Sequence, residues 1–399
     1  MIDSRIALPF GPLLTDPQPA ARPGLKPLLK WSGGKRGEIP FLKSAYPADI
    51  KRVIEPFSGG AAVSFDLNAE QIVLNDLSRG LVAFYRAMKQ SRERDEVIAC
   101  IRLLDATRKK IAASVRALGP AHLVNIFKSP KTWVEEQAQQ WLADWDEPMR
   151  AIVLSDLIDQ AVNKAVKRIP ALEKKHNLVF SHELRGQHLE TGLQSGLYTA
   201  MRRLYNQDVP GAPKAWEVAG WWFVRSLCYS AMFRYAKNGK FNVPYGGIGY
   251  NTRDFASSIA QLSSPAIIDF FDRAQVFELD FQALFEHHQG FGEGDFIFVD
   301  PPYDSAFSQY NPENDFAAAD QKRLAEVLKA TRAPWMLVVK NTPFILSLYK
   351  EKGLYRGVFD KTYQANFRNR HSRAAEHLVV TNYPFAYAGE GEVGITRIP

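Results

Sequence analysis

The chain has 399 residues, 46% hydrophobic and 23% charged, with 50 lysines and arginines against 43 aspartates and glutamates and a formal net charge of +7. That is a globular composition on a chain longer than one core usually serves, so two structural units are expected, and the basic balance suits a polyanionic partner without demanding one. Two cysteines, Cys100 and Cys228, exclude a disulfide scaffold and a thiolate zinc site, and no run approaches the roughly twenty apolar residues of a membrane span, so a cytoplasmic protein with no metal and no membrane contact is expected.

The N-terminus lacks the charged-then-apolar pattern of a signal, and the proline-rich run from Pro9 to Pro27 predicts a flexible arm over 1–27. Lys30-Trp31-Ser32-Gly33-Gly34-Lys35 then puts an aromatic, two glycines and a basic residue in one loop, able to bring backbone and Lys35 to an anionic ligand. Arg52-Val53-Ile54 predicts a short strand, and Glu55-Pro56-Phe57-Ser58-Gly59-Gly60 a turn into a helix from about Ala61. Glycines there permit close backbone approach, as in dinucleotide-binding turns. Glu55 would repel a pyrophosphate but attract an ammonium, which suits an amino-acid-bearing cofactor better. A second strand over 71–76 ends in Asp76, the position from which a carboxylate can hold ribose hydroxyls.

A helix is expected over 81–88. From 90 to 194 the sequence is helical and charged, with helices over 97–106, 111–118, 133–145 and 149–169. Lys164, Lys167, Arg168, Lys174 and Lys175 are its densest basic cluster, either a DNA-facing surface or a solvated face. Helices over 198–205 and 216–232 lead into Phe233-Arg234-Tyr235-Ala236-Lys237-Asn238-Gly239-Lys240-Phe241-Asn242-Val243-Pro244-Tyr245-Gly246. Asn238-Gly239 predicts a hairpin with a type I′ turn and two short strands. Arg234, Lys237 and Lys240 can meet phosphates or bases, and Phe241 and Tyr245 can wedge or stack, unless those aromatics pack inward.

The α/β pattern then resumes. A strand over 274–281 ends in Asp280 and Phe281, a pair able to bind an adenine amino group and its ring. Phe296-Ile297-Phe298-Val299 predicts a buried parallel strand that delivers Asp300 to the sheet edge where open α/β folds hold ligands. Pro301 and Pro302 stiffen the turn after the acid, and Tyr303 offers a flat face beside it. An exocyclic amine is a poor nucleophile because its lone pair is delocalised. Accepting its hydrogens at Asp300 and at a rigid backbone carbonyl would return lone-pair character to that nitrogen while Tyr303 stacks on the ring. The plainer reading is a strand end followed by a proline-rich loop. A helix over 319–330, a strand over 336–339, a helix over 344–351 and a strand over 378–380 complete the pattern. Arg368 and Arg370 lie in a basic loop, a DNA contact or simply exposed.

Taken together, these segments resemble the DNA adenine N6-methyltransferases of the Dam type. The matching pieces are Lys30 to Lys35, Glu55 to Gly60, Asn75-Asp76, Gly239 to Gly246, Asp300-Pro301-Pro302-Tyr303 and Glu376 to Tyr383, in family order. The resemblance implies an α/β protein: a Rossmann-like S-adenosylmethionine-dependent methyltransferase sheet with an inserted, mainly helical target-recognition domain carrying a β-hairpin. The catalytic domain would be 28–90 and 265–399, and the insertion 91–264 with its hairpin at 233–246. S-adenosylmethionine would be held by Trp31, Lys35 and Glu55 at its methionine end, with Phe57 and Gly59 in the same turn, by Asp76 at the ribose, and by Asp280 and Phe281 at the adenine. Asp300, Pro301, Pro302 and Tyr303 would receive an adenine flipped out of double-stranded DNA, and the methyl would pass directly to N6 without metal or covalent enzyme intermediate. Arg234, Lys237, Lys240, Asn242, Tyr245, Arg368 and Arg370 are the implied DNA contacts.

Two departures stand out: Ser230-Ala231 occupies the place of the family's Asn-Gly pair, and the connection over 90–194 is far longer than usual. A cognate restriction endonuclease and a monomer or weak dimer are further expectations. The alternatives are amino-group methylation of RNA or another substrate, and a DNA-binding protein that keeps the cofactor fold without turnover.

Overall fold

The computed structural model describes residues 22–31, 33–232, 234–236, 238–287, 291–302, 316–362, 374–389 and 394–398. Its strands are β1 (Arg52–Glu55), β2 (Gln71–Asn75), β3 (Ala274–Phe277), β4 (Asp295–Val299), β5 (Trp335–Lys340), β6 (Tyr355–Thr362), β7 (Ala374–Thr381) and β8 (Thr396–Arg397). They form one sheet in the order β3-β2-β1-β4-β5-β7-β6-β8. β1 pairs in parallel with β2 and β4, β2 with β3, and β4 with β5, while β7 lies antiparallel between β5 and β6. Val53-Ile54, Ile72-Val73-Leu74, Phe296 to Val299 and Met336 to Val339 are buried, which is why these strands are continuous apolar runs and not alternating ones.

Helices cover both faces. α1 (Ile39–Leu42), α2 (Ala62–Leu67) and α3 (Arg79–Lys89) accompany the first two strands. The segment between β2 and β3 supplies α4 (Ser91–Arg116), α5 (Pro120–Lys128), α6 (Pro130–Trp141), α7 (Met149–Ile158), a π-helical stretch (Asp159–Val166), α8 (Lys167–His176), α9 (His182–Tyr205), α10 (Lys214–Leu227), α11 (Ala256–Leu262) and α12 (Pro265–Asp272). α13 (Phe281–His287), α14 (Ala318–Ala330) and α15 (Pro343–Leu348) complete the helices. The last three pack on one sheet face over Ile54, Val73, Ile297, Val299 and Leu337. On the other face Val53, Ile72, Phe296 and Val338 continue without a break into Phe65, Phe84, Phe271, Ile101 and Trp221, so the helical segment shares its core with the sheet. Gly192 and Gly196 let α9 press against α7 and the π-helical stretch: a Cβ on either would lie 2.6 Å from Ala165 or Leu157. Among the described residues no helix is long and apolar enough to cross a membrane.

Several boundaries differ from the sequence pattern for reasons of packing. The helices expected at 97–106 and 111–118 are one, α4, because the polar break between them is buried: Arg108 donates to Gln194 Oε1 at 3.1 Å, Arg253 O at 3.0 Å and Tyr250 O at 3.1 Å. The helix expected through 232 stops at Leu227, where the Tyr229 and Gly246 amides bond to Pro244 O at 3.0 Å and Leu227 O at 3.0 Å. β3 ends at Phe277, and Asp280 instead caps α13 by accepting from the Gln282 amide at 3.0 Å. The hairpin makes isolated pairs, Tyr235 with Phe241 and Cys228 with Tyr245, and not two strands. In its turn Gly239 has a left-handed φ (76°), the Gly239 amide bonds to Ala236 O at 2.9 Å, and the Ala236 amide bonds to Lys240 O at 2.8 Å. The fixed chain begins before Leu28, since the Leu25 amide bonds to Phe65 O at 2.7 Å.

Candidate active site

The order of strands reverses between β1 and β4. From β1 the chain moves outward through β2 to β3, then crosses to β4 on the other side, which opens a crevice beyond the carboxyl ends of the two central strands. Four acids line that edge on adjacent strands: Asp280 after β3, Asp76 after β2, Glu55 ending β1 and Asp300 after β4. With neighbouring strands about 4.8 Å apart, the row spans about 14 Å, the scale of an extended nucleoside with an amino-acid tail.

Each acid is held by local backbone. Glu55 is buried, and its Oε1 accepts from the Ser64 amide at 2.7 Å, because the chain turns into α2 through Gly59 (φ 45°) and Ala61 (φ 50°). Burial pushes the Glu55 carboxyl up to about 8; the Ser64 hydrogen bonds oppose that shift, Asp300 adds to it and Lys35 opposes it. Asp76 accepts from the Gly59 amide at 2.9 Å and the Ser78 amide at 2.8 Å. Burial raises its pKa, while the backbone N–H groups of Ser78, Gly59 and Leu77 pull the other way. Trp31 lies on the Gly59 turn so closely that a Cβ at Gly59 would come within 2.7 Å of its ring. Tyr85 holds the same turn from beneath, donating to Gly59 O at 2.8 Å, and the Arg225 guanidinium sits 5.4 Å from the Trp31 ring centre.

Lys35 is buried in the turn Lys35–Gly37, and its Nζ lies 2.5 Å from Asp300 Oδ1. It also donates to Gly33 O at 3.2 Å. Burial raises the Asp300 pKa, Lys35 opposes this by charge and hydrogen bond, Glu38 adds to it and His377 opposes it. Glu38 and His377 form a buried pair of their own, 3.0 Å from Oε2 to Nδ1, which ties β7 to the loop carrying Lys35.

At the other end of the row, Phe57, Phe281 and Phe316 make an aromatic cluster with ring centres 5.4 to 5.8 Å apart. Both Asp280 oxygens meet Arg323, at 3.2 and 3.1 Å, and the same guanidinium lies 4.7 Å over Phe281. Asn75 stitches the row together: its amide donates to Pro56 O and Leu279 O and accepts from the Leu279 amide, all at 2.9 Å. Phe316, Arg323, Tyr85, Arg225 and Glu38 are not singled out by sequence reasoning; Asn75 and His377 enter it only as members of the matching pieces Asn75-Asp76 and Glu376 to Tyr383, with no role assigned.

The hairpin segment is tied to this edge through Arg225, which donates to Met232 O at 3.3 Å and lies over the Trp31 ring. Arg234 donates to Asn242 Oδ1 at 2.8 Å and to Asn242 O at 3.2 Å, and Lys240 pairs with Asp208. The aromatics offered as wedges pack inward: Phe241 is buried, and Tyr245 is buried with its hydroxyl on Asn251 Oδ1 at 2.9 Å. Tyr229 and Met232 are the exposed ones, at 39% and 40%, flanking Ser230 (φ 54°) and Ala231 (φ 51°). Both residues that replace the Asn-Gly pair thus hold the left-handed conformation that Asn and Gly tolerate best. Tyr303, Lys237, Arg368 and Arg370 lie outside the described residues.

The residues present fit S-adenosylmethionine: a buried carboxylate for an ammonium, a glycine turn under an indole, a second carboxylate with free acceptor capacity for hydroxyls, and aromatic rings beside a third acid.

Comparison with known proteins agrees with the fold. The profile of D12 class N6 adenine-specific DNA methyltransferases matches residues 31–113 and 149–362. The chain is 25% identical to Type II methyltransferase M.CviBI of Paramecium bursaria Chlorella virus NC1A over 366 residues, covering 90% of this chain and 100% of that protein. It is 22% identical to Type II methyltransferase M1.LlaDCHI of Lactococcus lactis subsp. cremoris, covering 90% and 96%. Against the DNA N-6-adenine-methyltransferase of Escherichia phage P1 it is 25% identical, over 82% of this chain and 31% of that one. With a switched parallel sheet, an acid delivered by each of its central strands and a family profile spanning most of its length, this chain belongs to the D12 class of N6 adenine-specific DNA methyltransferases.

Proposed function

We propose that this DNA adenine methyltransferase takes its methyl group from S-adenosylmethionine and delivers it to N6 of an adenine flipped out of double-stranded DNA. The observation that carries the reading is the pair of buried Lys35 and half-buried Asp300 at the β4 edge, one strand away from Glu55. When bound, the cofactor supplies an electrophilic methyl on a sulfonium. Glu55 holds its ammonium, Asp76 its ribose hydroxyls, and the Phe57, Phe281 and Asp280 end its adenine ring. Asp300 accepts a hydrogen of the incoming amino group. As the N6–methyl bond forms, the nitrogen sheds one proton, and burial makes Asp300 a better acceptor for it than a surface carboxylate. Lys35 keeps Asp300 charged and fixed until the amine arrives. Pro301 and Pro302 hold the backbone after Asp300 in one conformation, with Tyr303 as the stacking face, and Arg234, Lys240 and Asn242 of the hairpin meet DNA beside the target.

Transfer of tritiated methyl from S-adenosylmethionine to unmethylated plasmid, followed by nucleoside analysis and single-molecule sequencing, tests this. N6-methyladenine in one short motif is the expected product; label in RNA but not in DNA would overturn the reading. The near-complete coverage by two relatives named Type II methyltransferases supports a place as the modification half of a restriction pair. Plasmid carrying the gene would then resist an endonuclease that cuts at the methylated motif.

A further inference from the structure

The helical insertion carries a charge pattern that the sheet edge does not use. Along the π-helical stretch and α8, Val166 and Ile169 are buried, while Lys164, Lys167, Arg168, Lys174 and Lys175 are exposed. At about 100° per residue these five cations fall within roughly a third of the helix circumference, opposite the buried pair. Of the acids nearby, Glu173 holds Arg185 at 2.8 Å and the Phe180 amide at 2.9 Å, and Asp159 meets Lys164 at 3.3 Å. Arg168, Lys174 and Lys175 form no ion pair with any described residue, so the charge of these three is not offset by an ion pair among the described residues.

α9 joins this stripe to the hairpin. Near its start Arg185 grips Glu173, and at Gly192 it touches Ala165. Near its end Tyr198 donates to Val243 O at 2.8 Å, and Asn206 exchanges hydrogen bonds with Phe241 at 2.9 and 3.0 Å. At 1.5 Å per residue, the path from Asn206 back to Gly192 and Arg185 is roughly 20 to 30 Å. That is about six to nine base pairs of duplex, a little under one helical turn. Between His188 and Arg202 the side chains of α9 that reach the surface are all polar: His188, Thr191, Ser195, Thr199 and Arg202.

We propose that the α8 stripe is a second DNA backbone clamp, gripping phosphates six to nine base pairs from the target adenine and extending the footprint by about a turn on one side. Charge complementarity and helical spacing favour the duplex as its occupant. The inference rests on the hairpin lying at the target site, as proposed above.

The test uses the full chain and two duplexes centred on the methylated motif, about 12 and about 36 base pairs long, the shorter ending before the clamp. Binding is followed by fluorescence anisotropy across a salt series. In the wild type the longer duplex should bind about 10- to 100-fold tighter. The variant Lys167→Gln/Arg168→Gln/Lys174→Gln/Lys175→Gln should lose most of that advantage, and its salt slope on the long duplex should fall by about 3. Its affinity and methylation rate on the short duplex should be unchanged, and a Lys167→Arg/Lys174→Arg/Lys175→Arg control should behave as wild type. An undiminished length advantage in the glutamine variant, or equal losses on both duplexes, would overturn the clamp. Failure of the hairpin placement reads out separately, as short-duplex affinity that Lys240→Gln leaves unchanged.

Discussion

At Glu55 a single side chain would couple the proposed cofactor binding to pH. Its pKa is about 8 in the folded, unliganded protein, against about 4.5 for an ordinary glutamate, and the largest cause is burial. Between those values the native state holds a proton that the unfolded chain has lost, so this residue's contribution to stability falls as pH rises from about 4.5 to about 8 and changes little beyond. An ammonium beside the carboxylate favours its charged form. Cofactor binding at pH 7 should therefore release a proton, seen as different apparent heats in phosphate and Tris, and Glu55→Gln should remove that difference; equal heats for the wild type would contradict the assignment. Asp300→Ala should lower methyl transfer by about 10² or more and leave cofactor affinity within a few fold, since Asp300 sits at the amine end of the row. Ser230 and Ala231 give a third residue-level outcome. Ala231 at φ 51° should gain about 0.5–1 kcal/mol on replacement by glycine, read from the urea midpoint. The chemical acids were readable from sequence because Glu55, Asp76 and Asp300 close short apolar runs and Asp280 follows one by a few residues. The partners Arg323, Phe316 and Glu38 were not, because they come from distant segments and no local pattern marks a residue whose role is set by what it meets.

Among the elements, the central strands were legible and the edges of the helices were not. β1, β2, β4 and β5 are short apolar runs bounded by acids, prolines or polar turns, a signal that burial on both faces imposes. β6 mixes Arg356, Gly357 and Asp360 with apolar residues and is a strand because β7 and β8 pair with it from both sides. α10 stops at Cys228 without proline or glycine, because the returning hairpin takes the backbone groups that a further turn would use. α4 reads as two helices because Thr107 and Arg108 look like a surface break, yet both are buried. Arg108→Ala would strand the carbonyls of Tyr250 and Arg253 and the Gln194 side chain without their donor. Destabilisation of about 3 kcal/mol or more is expected in urea unfolding, with cofactor affinity of the folded fraction retained.

For the molecule as a whole, the expectation of two units from length meets a single continuous core on one face of the sheet. The helical segment and the sheet are thus braced against each other by apolar packing through α3, α4 and α10. The strands that carry Asp76 and Asp280 are neighbours in the sheet, yet the entire insertion is made between them. At a synthesis rate of about 5–20 residues per second, the roughly two hundred residues from β2 to β3 take about 10 to 40 seconds to emerge. Through that interval a nascent chain has the Glu55 turn and β2 but lacks the strand that completes the proposed cofactor site, and β4 with Asp300 comes later still. On the assignment proposed above, a ribosome-bound fragment stays inert, and methyl transfer begins only after the inserted segment has already been made.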